Sequence, residues 1–77
     1  MRVKSLHDRR YRRLIQTLRS ARQAVGLSQS SVARRLGKHQ SYVSKIENCE
    51  RKIDPIELLD LAAIYNLKMA DLLDALG

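Results

Sequence analysis

The sequence predicts an all-α fold of five helices. Three observations carry that prediction. Apolar residues recur at three- and four-residue spacing in five separate stretches. Residues that start or stop helices bound each stretch. No stretch alternates apolar with polar residues, so nothing reads as a strand. The 77 residues make one small domain, which leaves a core near the lower limit of independent stability. Tyr11, Tyr42 and Tyr65 are the only aromatic residues, so the core must be aliphatic.

The first helix runs through "YRRLIQTLRSARQAVG", with Tyr11, Leu14, Ile15, Leu18, Ala21 and Val25 on one stripe. Ahead of it, "SLHD" offers Ser5 as the cap and Asp8 in the first turn. Gly26 closes it. The second helix starts on the cap Ser28, turns Val32, Ala33 and Leu36 inward, and ends at Gly37. The third, "KHQSYVSKIEN", turns Val43 and Ile46 inward. About three residues join these two helices, and one of them is glycine. Such a connection forces a sharp change of direction, the signature of a helix-turn-helix. Asp54, Pro55 and Glu57 open the fourth helix as a capping box with proline at its first position. Its body is apolar nearly all round, which predicts burial on two sides. Asn66 is a left-handed terminator, and "MADLLDALG" forms the fifth helix.

Charge is divided along the chain. The net charge is +7, but residues 53–77 hold only Lys68 against five acidic residues. Residues 1–22 hold eight Lys and Arg against Asp8 alone. A basic front and an acidic back suit a chain whose one face meets a polyanion. A single cysteine allows no internal disulfide, and His7 and His39 lack ligand spacing, so neither metal nor cofactor is expected. No apolar run reaches the ~18 residues of a membrane span. The catalytic sets of hydrolases and the phosphate loops of nucleotide enzymes are missing, so an enzyme is not expected. Three tyrosines are too few for the stacking platforms of a typical RNA binder.

"SQSSVARRLGKHQSYVSKIEN" resembles the phage-repressor, XRE-like (lambda-repressor-like) type of helix-turn-helix. The start "GLSQ" at Gly26–Gln29, the small Ala33 at the helix crossing, Gly37 at the turn and the ending Ile46-Glu47-Asn48 all fit. So does "LLDLAAIYNLKMADLL" downstream, and the likeness extends from about Tyr11 to Leu73. It implies a five-helix, repressor-like DNA-binding domain over residues 8–77, with the helix-turn-helix at helices 2 and 3. Residues 1–7 are then a basic arm or an extension of the first helix.

The outer face of the third helix carries Gln40, Ser41, Ser44, Lys45 and Asn48, all hydrogen-bonding residues. The resemblance implies that the N-terminal end of this helix enters the major groove. Gln40, Ser41, Ser44 and Lys45 are the expected base contacts. Glutamine can pair bidentately with adenine, and lysine can donate to guanine or to phosphate. Ser28, Gln29, Tyr42, Asn48, Arg51 and Lys52 are the expected phosphate contacts, with Gln29 also bracing Gln40. Arg22 and Glu47 match a pair that ties the first helix to the third. His39 and Lys68 stand where Ser or Thr would cap the third and fifth helices. Cys49 stands where glycine is usual. Either it accepts a left-handed conformation or Asn48 ends the helix instead. A thiol sensor beside DNA is the sharper reading of Cys49.

The functional expectation is sequence-specific binding of double-stranded DNA by a small cytoplasmic regulator of bacterial or phage origin. A homodimer on an inverted-repeat operator follows, because one module reads few base pairs. Leu59, Ala63, Leu72, Leu73 and Leu76 are candidates for the dimer face, unless they form one internal core. The alternative is an antitoxin or adaptor that acts through a protein partner on the acidic, apolar last third.

Overall fold

The computed structural model describes residues 8–77 and contains five α-helices. They are α1 (Arg9–Ala24), α2 (Gln29–Leu36), α3 (Gln40–Glu47), α4 (Pro55–Ile64) and α5 (Met69–Leu76). The expected basic arm, residues 1–7, lies outside the described residues, as does Ser5. Asp8, not Ser5, caps α1: its carboxylate accepts the N–H groups of Arg10 (2.9 Å) and Tyr11 (3.3 Å). Both residues are good caps by type. Asp8 is the one placed next to the first residue of the helix.

The other helices start as local chemistry dictates. Ser28 accepts the Ser31 N–H at 3.0 Å. Asp54 and Glu57 exchange reciprocal bonds of 2.8 and 2.9 Å around Pro55. His39 takes the role that serine or threonine would fill, its Nδ1 accepting the Ser41 N–H at 3.3 Å. That bond requires Nδ1 to be unprotonated. Lys68 supplies no acceptor for α5, but its own N–H donates to Asp71 at 2.9 Å.

Four helices end by one device. A residue takes the left-handed conformation, and the next N–H reaches back five residues. Gly26, Gly37, Cys49 and Asn66 have φ of 75°, 67°, 58° and 60°. The returning bonds are Leu27 to Arg22, Lys38 to Ala33, Glu50 to Lys45 and Leu67 to Ala62, at 3.1, 2.8, 2.8 and 2.8 Å. Asn48 keeps φ at −90°, so Cys49 itself carries the left-handed strain.

One aliphatic core joins all five helices. Ile15 and Leu18 of α1 meet Val32 and Ala33 of α2, Val43 and Ile46 of α3, Leu61 and Ala62 of α4, and Leu72 of α5. Tyr65 is the buried aromatic, and burial pushes its phenol up to about 12. The helix-turn-helix pair α2–α3 packs closely, and α1 packs on α3 and α5. Tyr11 adds a polar tie: its hydroxyl accepts the Ile53 N–H at 3.1 Å, fixing the α3–α4 loop to α1.

One expectation changes here. Leu72 is only 2% exposed inside the protomer, so it belongs to the core and not to a dimer face. Within the protomer α4 is covered on one side, and Ile56 and Leu59 remain 65% and 49% exposed on the other.

The strain at Cys49 generates a prediction. A left-handed non-glycine residue costs roughly 1–2 kcal/mol, so Cys49→Gly should raise stability by about 1 kcal/mol. In a domain of this size that is about 4–8 °C in Tm. Asn66→Gly should gain less, because asparagine tolerates the conformation better. Urea or thermal melts measure both, and a fall in stability for Cys49→Gly would contradict the account.

Candidate nucleic-acid interface

Helix α3 is held from within and open outside. Val43 and Ile46 are each 1% exposed and fix its inner face. Gln40, Ser41, Lys45 and Asn48 are exposed on the outside, and Ser44 is half-buried. The His39 ring lies 3.1 Å from the Ser41 hydroxyl, and Asn48 Nδ2 lies 3.5 Å from the Ser44 hydroxyl. The four expected base-contacting residues therefore share one accessible helix.

The end of α3 is locked by Glu47. Arg22 Nε donates to Glu47 Oε2 at 2.6 Å, and Arg22 Nη2 donates to Oε1 at 3.0 Å. Arg22 Nη1 donates to the Leu27 carbonyl at 2.8 Å, which also pins the α1–α2 turn. Gln29 Nε2 adds a third donor to the carboxylate, on Oε1 at 3.0 Å. One carboxylate thus binds side chains from α1 and α2 while standing on α3. The pair is nearly dry, with side-chain exposures of 10% for Arg22 and 5% for Glu47. Its hydrogen bonds hold the Arg22 guanidinium above its usual range. In the free chain the Gln29 amide nitrogen donates to Glu47, which leaves its carbonyl oxygen as the atom that could brace Gln40.

A second network fixes α3 to the start of α4. The Arg51 guanidinium lies 4.6 Å from the Tyr42 ring centroid, and the Lys38 amine lies 5.4 Å from the same ring. Arg51 also forks onto Glu57, with bonds of 3.1 and 2.9 Å. This holds the Glu57 carboxyl down at about 2, helped by the nearby Tyr42 hydroxyl and by the Asp54 backbone N–H. Burial, then the contact with Glu57, pushes the Tyr42 phenol up. Tyr42 and Arg51 are therefore parts of a clamp as well as candidates for phosphate contact. The Arg51 side chain keeps 40% of its surface in water. Ser28 and Lys52 are exposed.

Sequence reasoning missed three features. The Arg51–Glu57 fork crosses the loop before Pro55, where no helical spacing rule applies. Arg9, Arg12 and Arg13 line a cleft beside the end of α3. On α4 and α5, Ile56 and Met69 join Leu59 and Leu73 as large exposed apolar residues. Of the other dimer candidates, Ala63 is exposed and Leu76 is half-buried. No described helix is long and apolar enough to cross a membrane.

Comparison with known proteins agrees with this geometry. Residues 18–72 match the helix-turn-helix family. Among solved structures, the chain is similar to an XRE-family like protein from Pseudomonas syringae pv. tomato str. DC3000. The two share 43% identity and superpose with a TM-score of 0.82, over 91% of this chain and 85% of the other. No curated protein matches the chain.

Removing one partner of a buried pair strands the other charge, at about 3–5 kcal/mol. Glu47→Ala should therefore destabilise by about 3 kcal/mol. The apolar double variant Arg22→Met, Glu47→Leu should recover most of that loss. Equilibrium denaturation of the single and double variants measures the difference. An unchanged Glu47→Ala melt would show that the pair is not structural.

Proposed function

The chain belongs to the XRE-like helix-turn-helix family of DNA-binding transcription regulators, and we propose that it reads double-stranded DNA sequence through α3. The observation that carries this reading is the division of α3 into two faces. Val43, Ile46 and Glu47 are bound to the rest of the fold, and Gln40, Ser41 and Lys45 are presented to the outside. An α-helix fits the major groove, and its N-terminal residues meet the base edges. Gln40 pairs with adenine N6 and N7, Ser41 and Ser44 accept or donate beside it, and Lys45 reaches guanine or phosphate. Ser28, Gln29, Asn48 and Lys52 grip the backbone around them. Tyr42 and Arg51 do so from within their clamp. Phosphate contacts set register, and base contacts set preference.

The protein acts as a homodimer on an inverted repeat, with half-sites about one helical turn, ~34 Å, apart. The exposed apolar residues Ile56, Leu59, Ala63, Met69 and Leu73 support such a face on the side of α4 and α5. The same patch supports a second reading. Asp60, Asp71 and Asp74 are exposed on the same two helices. An antitoxin or adaptor would use that surface for a basic protein partner, with DNA secondary. On the leading reading the site of action is chromosomal or phage DNA in the cytoplasm.

Selection of bound fragments from random duplexes tests the leading reading. The expected result is an enriched inverted repeat. Gln40→Ala should lose about 1–3 kcal/mol of discrimination at a single adenine position and leave the rest of the site unchanged. Recovery of sequences no richer than a salt-sensitive background would refute specific reading.

A further inference from the structure

A cleft of about 650 Å³ opens between the first half of α1 and the end of α3. Arg9, Arg12, Arg13 and Gln16 line one side, and Asn48 and Cys49 line the other. The α1 residues follow helical spacing, so they stand on one face over two turns. All three arginines are exposed. Among the described residues, the ion pairs Arg22–Glu47 and Arg51–Glu57 leave these three guanidinium groups without an acidic partner. Glu47 borders the cleft, but its carboxylate is already occupied by Arg22 and Gln29. The result is a concave wall of one sign. Such a wall focuses positive potential, and the guanidinium fork matches phosphate oxygens.

The position of the cleft limits what it can hold. Asn48 belongs both to the outer face of α3 and to the cleft wall, so the two surfaces are continuous. The eight residues of α3 span about 12 Å from the Gln40 end to this wall. That is about three to four phosphates along one strand. On the proposed docking of α3, the cleft falls over backbone beside the base pairs that Gln40 meets.

We propose that this cleft is a phosphodiester site that seats the backbone of the duplex flanking the recognised base pairs. Arg9, Arg12 and Arg13 supply the charge and Asn48 supplies a neutral donor. The proposal rests on the DNA-binding reading and extends its footprint to α1. The ligand is duplex phosphodiester and not a free phosphate, because the cleft is open and joins the α3 surface.

The test measures binding affinity against salt for the full chain on two duplexes. One ends at the recognised base pairs, and the other extends about one helical turn, ~10 base pairs, beyond them. Each phosphate contact contributes about 0.9 to the slope of log K against log salt. The triple variant Arg9→Gln, Arg12→Gln, Arg13→Gln should lower the slope by about 2 to 3 for each bound protomer on the extended duplex and leave it unchanged on the short one. Arg12→Gln alone should lower it by about 1 for each protomer. The triple lysine variant should keep the parent slope, and the base preference should be the same in all of them. An unchanged slope overturns the proposal. So does an equal loss on both duplexes, which would mean diffuse charge and no seated backbone. Saturable binding of inorganic phosphate at Arg9, Arg12 and Arg13 by NMR, with the slope intact, makes the cleft a small-anion site and also overturns it. Failure of the unaltered chain to bind either duplex overturns the DNA reading itself, which the parent arm reveals separately.

Discussion

The Glu47 carboxylate accepts two hydrogen bonds from Arg22 and one from Gln29, and the orientation of α3 depends on it. A helix of eight residues has too few turns to be stable alone. Val43 and Ile46 stop it leaving the core, but two adjacent apolar anchors leave its rotation and tilt loosely set. The carboxylate supplies the missing constraint. It ties the last turn of α3 to α1 and to the first turn of α2, and Arg22 carries the tie on to the Leu27 carbonyl. A buried ion pair of this kind can be nearly neutral for stability against an apolar substitute while still fixing geometry. Geometry is what the proposed reading of bases by α3 needs, because bidentate pairing with a base tolerates little displacement.

The second clamp completes the frame from the other side. Tyr42, Arg51 and Glu57 bind the middle of α3 to the N-terminus of α4. Glu57 also serves the α4 cap, so one side chain both starts a helix and positions its neighbour. Between the two clamps, the polar residues of α3 can face outward without being needed for the fold. The chain separates its charges in the same way. Residues 53–77 carry nearly all the uncompensated acid, and α1 carries the densest positive charge. The acidic helices repel a polyanion and leave one approach to it.

Local chemistry made the helices legible. Asp54-Pro55 starts α4, and Gly26, Gly37 and Asn66 terminate helices within a few residues of where they act. The fold class follows from such signals together with apolar spacing. Contacts across the fold were not legible in the same way. Arg22 and Glu47 are 25 residues apart, and no periodicity relates them; the family likeness pointed to the pair. The bond of the Gln29 amide nitrogen to Glu47 depends on where Glu47 lies, and only the assembled helices permit it. Leu72, Leu73 and Leu76 form one apolar run, and spacing does not say which of them meets α1. Packing of α5 on α1 buries Leu72 and leaves Leu73 62% exposed. Ser5 and Asp8 were both competent caps by chemistry, and only the start of the helix at Arg9 decides between them. Cys49 was legible as an anomaly, but its strain is visible only in its φ.

The most direct measurement of the central claim is a crystal structure of the protein bound to its selected duplex. The expected complex has the N-terminal end of α3 in the major groove, with Gln40 within hydrogen-bonding distance of a base edge. The Arg22–Glu47–Gln29 bonds keep the lengths found in the free chain. A duplex lying against α4 and α5, or a complex in which Glu47 has released Arg22, would contradict the claim.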